Sequence, residues 1–267
     1  MVRSADGTPI ACWRQGSGPP LVLVHGTGED HRRWRLVGSR LARRFTVYAV
    51  DRRGRGASGD AEPYALSDEA ADLAAVVGQV GQIGEPSGGR VAMLAHSYGA
   101  ICAIEAARRA PALARMVLYE PPVPVPGSRD FSAAAAGLRK LVADGRHDQA
   151  LGEFLTEIAG IPREHVFAFR SAGGFGDRRP LAGTLAREIE ATQDYLLAPG
   201  ARPTLPVRVL LLAGGASPEP RRLAAAAVAA AFPGARLEVL AGQAHDAMDT
   251  SPRVFLDVVL GFLQEGG

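Results

Sequence analysis

Short apolar runs recur along the chain and alternate with longer stretches that have helical periodicity. Each run is continuously apolar or β-branched, as in strands that are buried on both faces. The predicted strands are Leu21–Val24, Thr46–Val50, Val91–Leu94, Met116–Tyr119, Val207–Leu212 and Leu237–Leu240, with an antiparallel edge around Ile10–Arg14. The predicted helices span residues 30–43, 67–83, 98–110, 218–232 and 252–265. This alternation predicts an α/β fold with a mostly parallel, doubly wound sheet and right-handed crossovers.

One long interval between Pro121 and Pro206 lacks predicted strands. Its pattern predicts helices near residues 131–144, 147–159, 162–170 and 181–197. We therefore expect a first core part (1–121), a helical cap (122–205) and a second core part (206–267). A cap over the carboxyl edge of the sheet would shape a substrate pocket and exclude water. Its aromatic residues fit that role or ordinary core packing, and they are Phe154, Phe167, Phe169, Phe175 and Tyr195.

Composition argues against several classes of protein. The net charge is +2, from 30 basic and 28 acidic residues without a long run of one sign, so nucleic-acid binding has little support. Cys12 and Cys102 are expected to be reduced thiols that fill space. No stretch approaches the roughly eighteen apolar residues of a membrane span, and residues 1–18 lack the apolar segment of a secretory signal. We expect a cytoplasmic protein without membrane partners.

Ser97 lies between a predicted strand and a predicted helix, within the pattern Ala95-His96-Ser97-Tyr98-Gly99. Small residues two positions before and after a serine allow a sharp turn that exposes the hydroxyl with a positive φ. Gly99 meets this requirement fully, and Ala95 replaces the more usual glycine. A helix N-cap is the alternative interpretation of this serine. The strand-turn-helix context favours a nucleophile elbow, the turn that carries the reactive serine of many hydrolases.

The glycines Gly54, Gly56 and Gly59 match a dinucleotide-binding fingerprint in spacing alone. Nucleotide-binding glycines open directly into a helix, but residues 60–64 have the composition of a loop. We expect a tight loop here and no cofactor. The six histidines also lack metalloprotease spacing, so no metal site is predicted.

Four segments spread along the chain carry a resemblance to a known family: Val24–Gly28, Asp51–Gly59, Ala95–Gly99 and Ala241–His245. Together they resemble the α/β-hydrolase superfamily, in its serine-nucleophile branch with a helical cap. The resemblance implies the α/β-hydrolase fold. It also implies that the backbone amides of Thr27 and Tyr98 form an oxyanion hole, which stabilises the negative oxygen of a tetrahedral intermediate.

The resemblance also directs attention to His245 as the general base. His245 follows the last predicted strand and precedes the last predicted helix, where the family carries its catalytic histidine. A neutral imidazole can accept and return a proton near neutral pH. His25 is expected to brace its own turn, and His96 is expected to be structural and to face away from the nucleophile.

The acid departs from the commonest pattern of the family. The usual aspartate follows the strand predicted here as Val207–Leu212, but Ser217 stands at that position. An uncharged hydroxyl cannot stabilise an imidazolium. Glu120 ends an earlier predicted strand, and some members of the family carry their acid there; an exposed strand-end carboxylate is the alternative interpretation. We predict a triad of Ser97, Glu120 and His245, in which Glu120 orients His245.

The resemblance and this triad predict a cofactor-independent serine hydrolase. Its substrate would be an ester, thioester or lactone of a small, largely apolar molecule, cleaved through an acyl-enzyme. Serine argues against dehalogenase or epoxide-hydrolase chemistry, which uses an aspartate nucleophile in this family. Carbon–carbon bond hydrolysis, perhydrolysis, and a non-hydrolytic ligand-binding or biosynthetic cyclase role stay open. Neither the natural substrate nor the oligomeric state follows from the sequence.

Overall fold

The computed structural model describes residues 1–83, 89–197 and 207–265. Its central feature is a seven-stranded sheet with strand order β3-β5-β4-β6-β7-β8-β9. The strands are β1 (Val2–Arg3), β2 (Pro9–Ile10), β3 (Cys12–Gln15), β4 (Pro20–Val24), β5 (Thr46–Val50), β6 (Val91–His96), β7 (Leu113–Tyr119), β8 (Arg208–Gly214) and β9 (Arg236–Leu240). Strand β3 is the antiparallel edge, and all other neighbours in this sheet are parallel. The predicted α/β-hydrolase fold, a mostly parallel sheet flanked by helices, is confirmed.

The amino-terminal strands differ in detail from the prediction. Ile10 belongs to β2, which pairs with β1 in a separate two-stranded sheet. The antiparallel edge begins only at Cys12, which pairs with Val50.

The helices cover both faces of the sheet. They are α1 (Gly38–Leu41), α2 (Leu66–Ile83), α3 (Tyr98–Ala106), α4 (Ser132–Ala143), α5 (His147–Glu153), α6 (Arg163–Ser171), α7 (Leu185–Gln193), α8 (Glu219–Ala231), α9 (Ala247–Thr250) and α10 (Pro252–Gln264). One apolar core packs α2, α3 and α8 against the sheet, and a second packs α1 and α10 against the other face. Within the described ranges, no helix has both the length and the apolar character needed to cross a membrane.

The predicted helix over residues 30–43 is wrong as a single element. The chain forms a 3₁₀ turn at His31–Trp34 and the short helix α1 at Gly38–Leu41. Val37 and Gly38 stand at the interruption, and both have low helix propensity. The side chain of Asp30 also accepts a hydrogen bond from the Arg32 amide, which stabilises a local turn at the start of the segment.

Parallel pairing brings the carboxyl ends of the central strands to one edge of the sheet. Val24 of β4 pairs with Ala95 of β6, and His96 of β6 pairs with Tyr119 of β7. The residues that follow these strands therefore leave the sheet side by side. Because β8 and β9 run the same way, the loop after β9 emerges at this edge as well.

The segment from Ser132 to Gln193, here called the helical insertion, contains α4 to α7, a π-helical turn at Phe154–Ile158 and a 3₁₀ segment at Gly176–Thr184. It has its own apolar core, and Phe154 and Leu185 of that core reach the loop after β4. Two of the aromatic residues noted in the sequence, Phe167 and Phe169, are exposed. The expected boundary at residue 205 lies outside the described residues.

A buried ion-pair cluster connects the helical insertion to the core. Arg52 and Arg55, which follow β5, both pair with Glu69 of α2 and with Glu188 of α7. Arg52 lies 3.0 Å from Glu69 and 2.9 Å from Glu188. All four side chains are buried, so two positive and two negative charges balance each other away from water.

We expect Glu188→Ala to reduce the free energy of unfolding by about 3–5 kcal/mol, because it leaves buried guanidinium charge without its partner. Urea unfolding followed by circular dichroism measures this loss. Glu190→Ala is the matched control, since Glu190 lies on the same helix and pairs with Arg139 at the surface, where a pair contributes at most about 1 kcal/mol. Equal losses in the two variants would contradict the importance of the buried cluster.

Candidate active site

Ser97 occupies the sharp turn between β6 and α3. Its φ of 54° is positive, which is uncommon for a residue with a side chain. Gly99 makes this turn possible, because a β-carbon at that position would collide with the carbonyl oxygen of His25. The amide of Ser97 donates to the carbonyl oxygen of Tyr119 at 2.9 Å. The turn is therefore fixed on one side by the sheet and on the other by the loop after β4.

Two backbone segments flank Ser97. The loop after β4 passes beside it, since a β-carbon on Gly26 would lie 3.0 Å from the β-carbon of Ser97. Thr27 follows Gly26 in this loop and is half-buried. Tyr98 begins α3, where the backbone N–H groups have no acceptor within the helix and the helix dipole is positive. The first turn of α3 thus offers backbone donors next to Ser97, and the loop that carries Thr27 lies beside them.

Glu120 follows β7 and is almost completely buried, with 1 % of its surface exposed. Its φ of 46° is also positive, and its amide donates to the carbonyl oxygen of Leu212 in β8 at 3.0 Å. The Oε1 atom accepts a hydrogen bond of 2.7 Å from the amide of Gly214. These contacts leave Oε2 of Glu120 directed toward the loop after β9.

His245 lies in that loop, and its Nδ1 atom is 2.6 Å from Oε2 of Glu120. The structure therefore brings together the predicted acid and the predicted base, which are 125 residues apart in the chain. Ser217, at the usual position of the acid, is also buried. Its hydroxyl lies near the Glu120 carboxylate and lowers the pKa of that group.

The charge states of the pair follow from its surroundings. Burial raises the pKa of Glu120, but the hydrogen bond and the charge of His245, with the Ser217 hydroxyl and the hydrogen bond from the Gly214 amide, outweigh this effect and bring the pKa to about 2. Burial lowers the pKa of His245 to about 4, with further lowering by Arg221 and His96 and partial compensation by Glu120. Near neutral pH the pair is a carboxylate and a neutral imidazole. The imidazole donates Nδ1–H to Glu120, so Nε2 is free to accept a proton.

Two other histidines lie close to these residues. His25 is fully buried, its Nδ1 donates to the carbonyl oxygen of Gly26 at 2.9 Å, and its Nε2 accepts from the amide of Arg52 at 3.2 Å. It braces the loop, as expected. His96 differs from the expectation, because its ring lies against that of His245 with 4.4 Å between centroids. Its Nε2 donates to the carbonyl oxygen of His245 at 3.1 Å.

Strand parity could have predicted the position of His96. Residues of β6 alternate between the two faces of the sheet, and Leu94 belongs to the apolar core that α10 covers. His96 has the same parity as Leu94, and the His245 loop leads toward α10 on that face. The loop is fixed further by Arg33, which binds the carboxylates of Asp246 and Asp249.

Arg221 is the second residue that the sequence did not indicate. It lies in the first turn of α8, and its Nη1 atom is 3.7 Å from Oε2 of Glu120. Its Nη2 atom donates to the carbonyl oxygen of Ala159 in the helical insertion at 2.9 Å. A single side chain therefore contacts both the buried acid and the insertion.

Potential metal ligands come together at Asp30, His31 and Asp51, whose ligand atoms lie within 4.8 Å of one another. Asp51 already accepts hydrogen bonds from Trp13, His31 and Ala57. The oxygens of Asp30 are engaged by Arg32. Protein donors thus take up these oxygen atoms.

The glycine loop that follows Asp51 is tight, as expected, with positive φ at Gly54 and Gly56.

Curated relatives match parts of this chain. The probable oxidoreductase EphD of Mycobacterium tuberculosis is 37% identical over 124 residues, which are 45% of this chain and 20% of that protein. The N-formylmaleamate deformylase of Pseudomonas putida is 39% identical over 119 residues, or 43% of this chain and 42% of the relative. The matches thus span a fifth to two fifths of the length of these two relatives.

Solved structures match the whole fold. An alpha/beta hydrolase from Sphaerobacter thermophilus is 33% identical, with a TM-score of 0.83 over 98% of this chain and 99% of its own. The esterase RhEst1 from Rhodococcus is 23% identical, with a TM-score of 0.74 and coverage of 100% and 98%. An enol-lactonase from Burkholderia xenovorans is 20% identical, with a TM-score of 0.72 and coverage of 97% and 98%. At these two lower identities the likeness concerns the fold alone.

The sequence model of the alpha/beta hydrolase family matches residues 21–258, which include every central strand of the sheet from Leu21 of β4 onward and the turns that carry Ser97, Glu120 and His245. The chain belongs to the alpha/beta hydrolase family.

Proposed function

We propose that this protein is a cofactor-independent serine hydrolase that cleaves an ester, thioester or lactone of a small, largely apolar molecule. The observation that carries the proposal is the 2.6 Å contact between Glu120 and His245 at the sheet edge where Ser97 occupies its strained turn. The relatives and structural neighbours support this class of reaction, because their names include an esterase, an enol-lactonase and a deformylase.

The reaction begins when Nε2 of His245 takes the hydroxyl proton of Ser97 as the oxygen attacks the substrate carbonyl. Glu120 stabilises the imidazolium that forms, and the amides of Thr27 and Tyr98 stabilise the negative oxygen of the tetrahedral intermediate. His245 then gives its proton to the leaving alcohol or thiol. A water molecule releases the acid from Ser97 by the same steps, which restores the free hydroxyl.

The helical insertion supports an apolar substrate. Phe154 and Leu185 lie directly over Gly28 of the loop after β4, so close that a β-carbon on Gly28 would be within 3.3 Å of both side chains. We propose that the insertion acts as a cap and that these two side chains form an apolar wall of the substrate site. Such a wall favours an acyl or ring portion without charge and excludes water from the reacting carbonyl.

We expect Ser97→Ala to abolish labelling by a fluorophosphonate probe and hydrolysis of p-nitrophenyl acetate, because both reactions need the serine oxygen as nucleophile. Mass spectrometry of the labelled protein should locate the adduct on Ser97. A panel with a lactone, a thioester and an N-formyl amide then measures the preferred bond. Absence of labelling and of turnover in the unaltered protein would favour the ligand-binding alternative.

Replacement of the acid separates Glu120 from Ser217. Glu120→Gln should lower kcat by about 10³- to 10⁴-fold, since the amide cannot stabilise the imidazolium. Ser217→Ala removes an uncharged hydroxyl that contributes less than His245 to the ionisation of Glu120, and it should change kcat by about tenfold or less. Steady-state kinetics with p-nitrophenyl acetate compares the two variants. A larger loss of kcat in Ser217→Ala than in Glu120→Gln would show that Glu120 is not the acid.

The pH dependence follows from the pKa of His245. Only the neutral imidazole accepts a proton, and burial lowers its pKa to about 4, so the active form should persist as the pH falls below the ordinary histidine value of about 6.5. Glu120, with a pKa of about 2, stays ionised over this range. The acid limb of kcat/KM should therefore inflect well below pH 6.5. An inflection at or above that value would show that His245 is less buried than the structure indicates.

A further inference from the structure

We propose that Arg221 is a positioning residue that connects the placement of the helical insertion to the electrostatics of the Glu120–His245 pair. The inference rests on the proposed function, because positioning has meaning only for a reaction that these residues carry out. Its basis is the pair of contacts that one guanidinium makes, at 3.7 Å to Glu120 and at 2.9 Å to the carbonyl oxygen of Ala159.

The contact with Glu120 supplies a second positive neighbour for this carboxylate. Oε2 of Glu120 faces both Nδ1 of His245 and Nη1 of Arg221, whereas Oε1 is occupied by the Gly214 amide. Arg221 is 23% exposed and Glu120 is fully buried, so the attraction between them is only partly screened by solvent. Arg221 therefore adds to the contacts that hold the carboxylate in the orientation that reaches His245.

The contact with Ala159 fixes the insertion at a point that matters for the substrate site. Ala159 directly follows the π-helical turn at Phe154–Ile158, and its own amide donates to the carbonyl oxygen of Phe154 at 2.9 Å. Phe154 in turn lies over Gly28 in the loop that carries Thr27. A displacement of this turn would move the apolar wall of the site, and Arg221 resists that displacement.

The charge of Arg221 also acts on His245. The charged or titratable groups that face His245 are Glu120, Arg221, His96 and Tyr119. Asp246, which follows His245 in the chain, is bound to Arg33. Glu120 favours the imidazolium, whereas Arg221 and His96 oppose it. Removal of the guanidinium charge should therefore raise the pKa of His245, and a change that keeps the charge should not.

Two variants separate the two contacts. Arg221→Gln removes the charge and the reach to Ala159, and Arg221→Lys keeps the charge but replaces the forked donor by a single ammonium. Arg253→Gln is the control, because it removes the same net charge from a side chain that is 88% exposed. Arg253 pairs with Asp257 and makes no ion pair or hydrogen bond with Glu120 or His245 among the described residues. Circular dichroism establishes that each variant is folded.

NMR titration of the imidazole of His245, assigned with a His245→Gln variant, is the decisive measurement and does not depend on turnover. We expect a higher pKa for His245 in Arg221→Gln and unchanged values in Arg221→Lys and Arg253→Gln. Hydrogen exchange should become faster in the 154–162 segment of both Arg221 variants. An unchanged His245 titration in Arg221→Gln, or unchanged exchange in both Arg221 variants, would overturn the proposal.

Kinetics gives the functional readout. KM for p-nitrophenyl acetate should rise about two- to tenfold in both Arg221 variants, the effect of losing one hydrogen bond, and the acid limb of kcat/KM should move to higher pH only in Arg221→Gln. If the unaltered protein neither turns over this ester nor reacts with a fluorophosphonate, the proposed function fails, whereas the NMR and exchange results still decide the structural role of Arg221.

Discussion

The carboxylate of Glu120 has to remain ionised in a place from which water is largely excluded, and the surrounding elements meet that requirement together. A backbone amide at the end of β8 satisfies one oxygen, and an imidazole from the loop after β9 satisfies the other. Burial of a charge without such partners would cost several kcal/mol, or about the whole stability of many domains. The positions of β7, β8 and the His245 loop are therefore mutually dependent. Burial of His245, with the charges of Arg221 and His96, keeps its imidazole neutral near physiological pH, although the pairing with Glu120 opposes this effect.

The sequence predicts the sheet well because strands buried on both faces need continuous apolar runs, and these runs are visible without knowledge of their neighbours. The family resemblance adds the edge at which Ser97, Glu120 and His245 meet. The structure pairs the predicted acid Glu120 with the predicted base His245, and the catalytic roles of the three residues stay predictions. Residues 30–43 show the limit of local patterns. Their composition permits a helix, but Val37 and Gly38 interrupt it, and Arg33 is drawn to two aspartates more than two hundred residues away.

His96 and Arg221 illustrate why the rest of the site was not predicted. The position of His96 follows from strand parity, but its contact with His245 depends on how the loop after β9 folds back over the sheet. Arg221 is one of several arginines in the chain, and nothing in its neighbourhood along the sequence distinguishes it from Arg222. Its contacts with Glu120 and Ala159 depend on how closely α8 approaches β7 and the helical insertion. That approach is determined by segments far apart in the sequence.

The buried ion-pair cluster limits how the helical insertion can be exchanged between proteins of this family. Its four charges belong to Arg52, Arg55, Glu69 and Glu188. The core contributes two arginines and one glutamate, and the helical insertion contributes the remaining negative charge. An insertion transplanted from another protein, with an uncharged residue in place of Glu188, would leave the recipient core with an excess positive charge in its interior. If the insertion acts as the proposed cap, a change of specificity by transfer of this segment requires a compensating exchange in the core. For this protein, substrate range and core composition are expected to change together rather than independently.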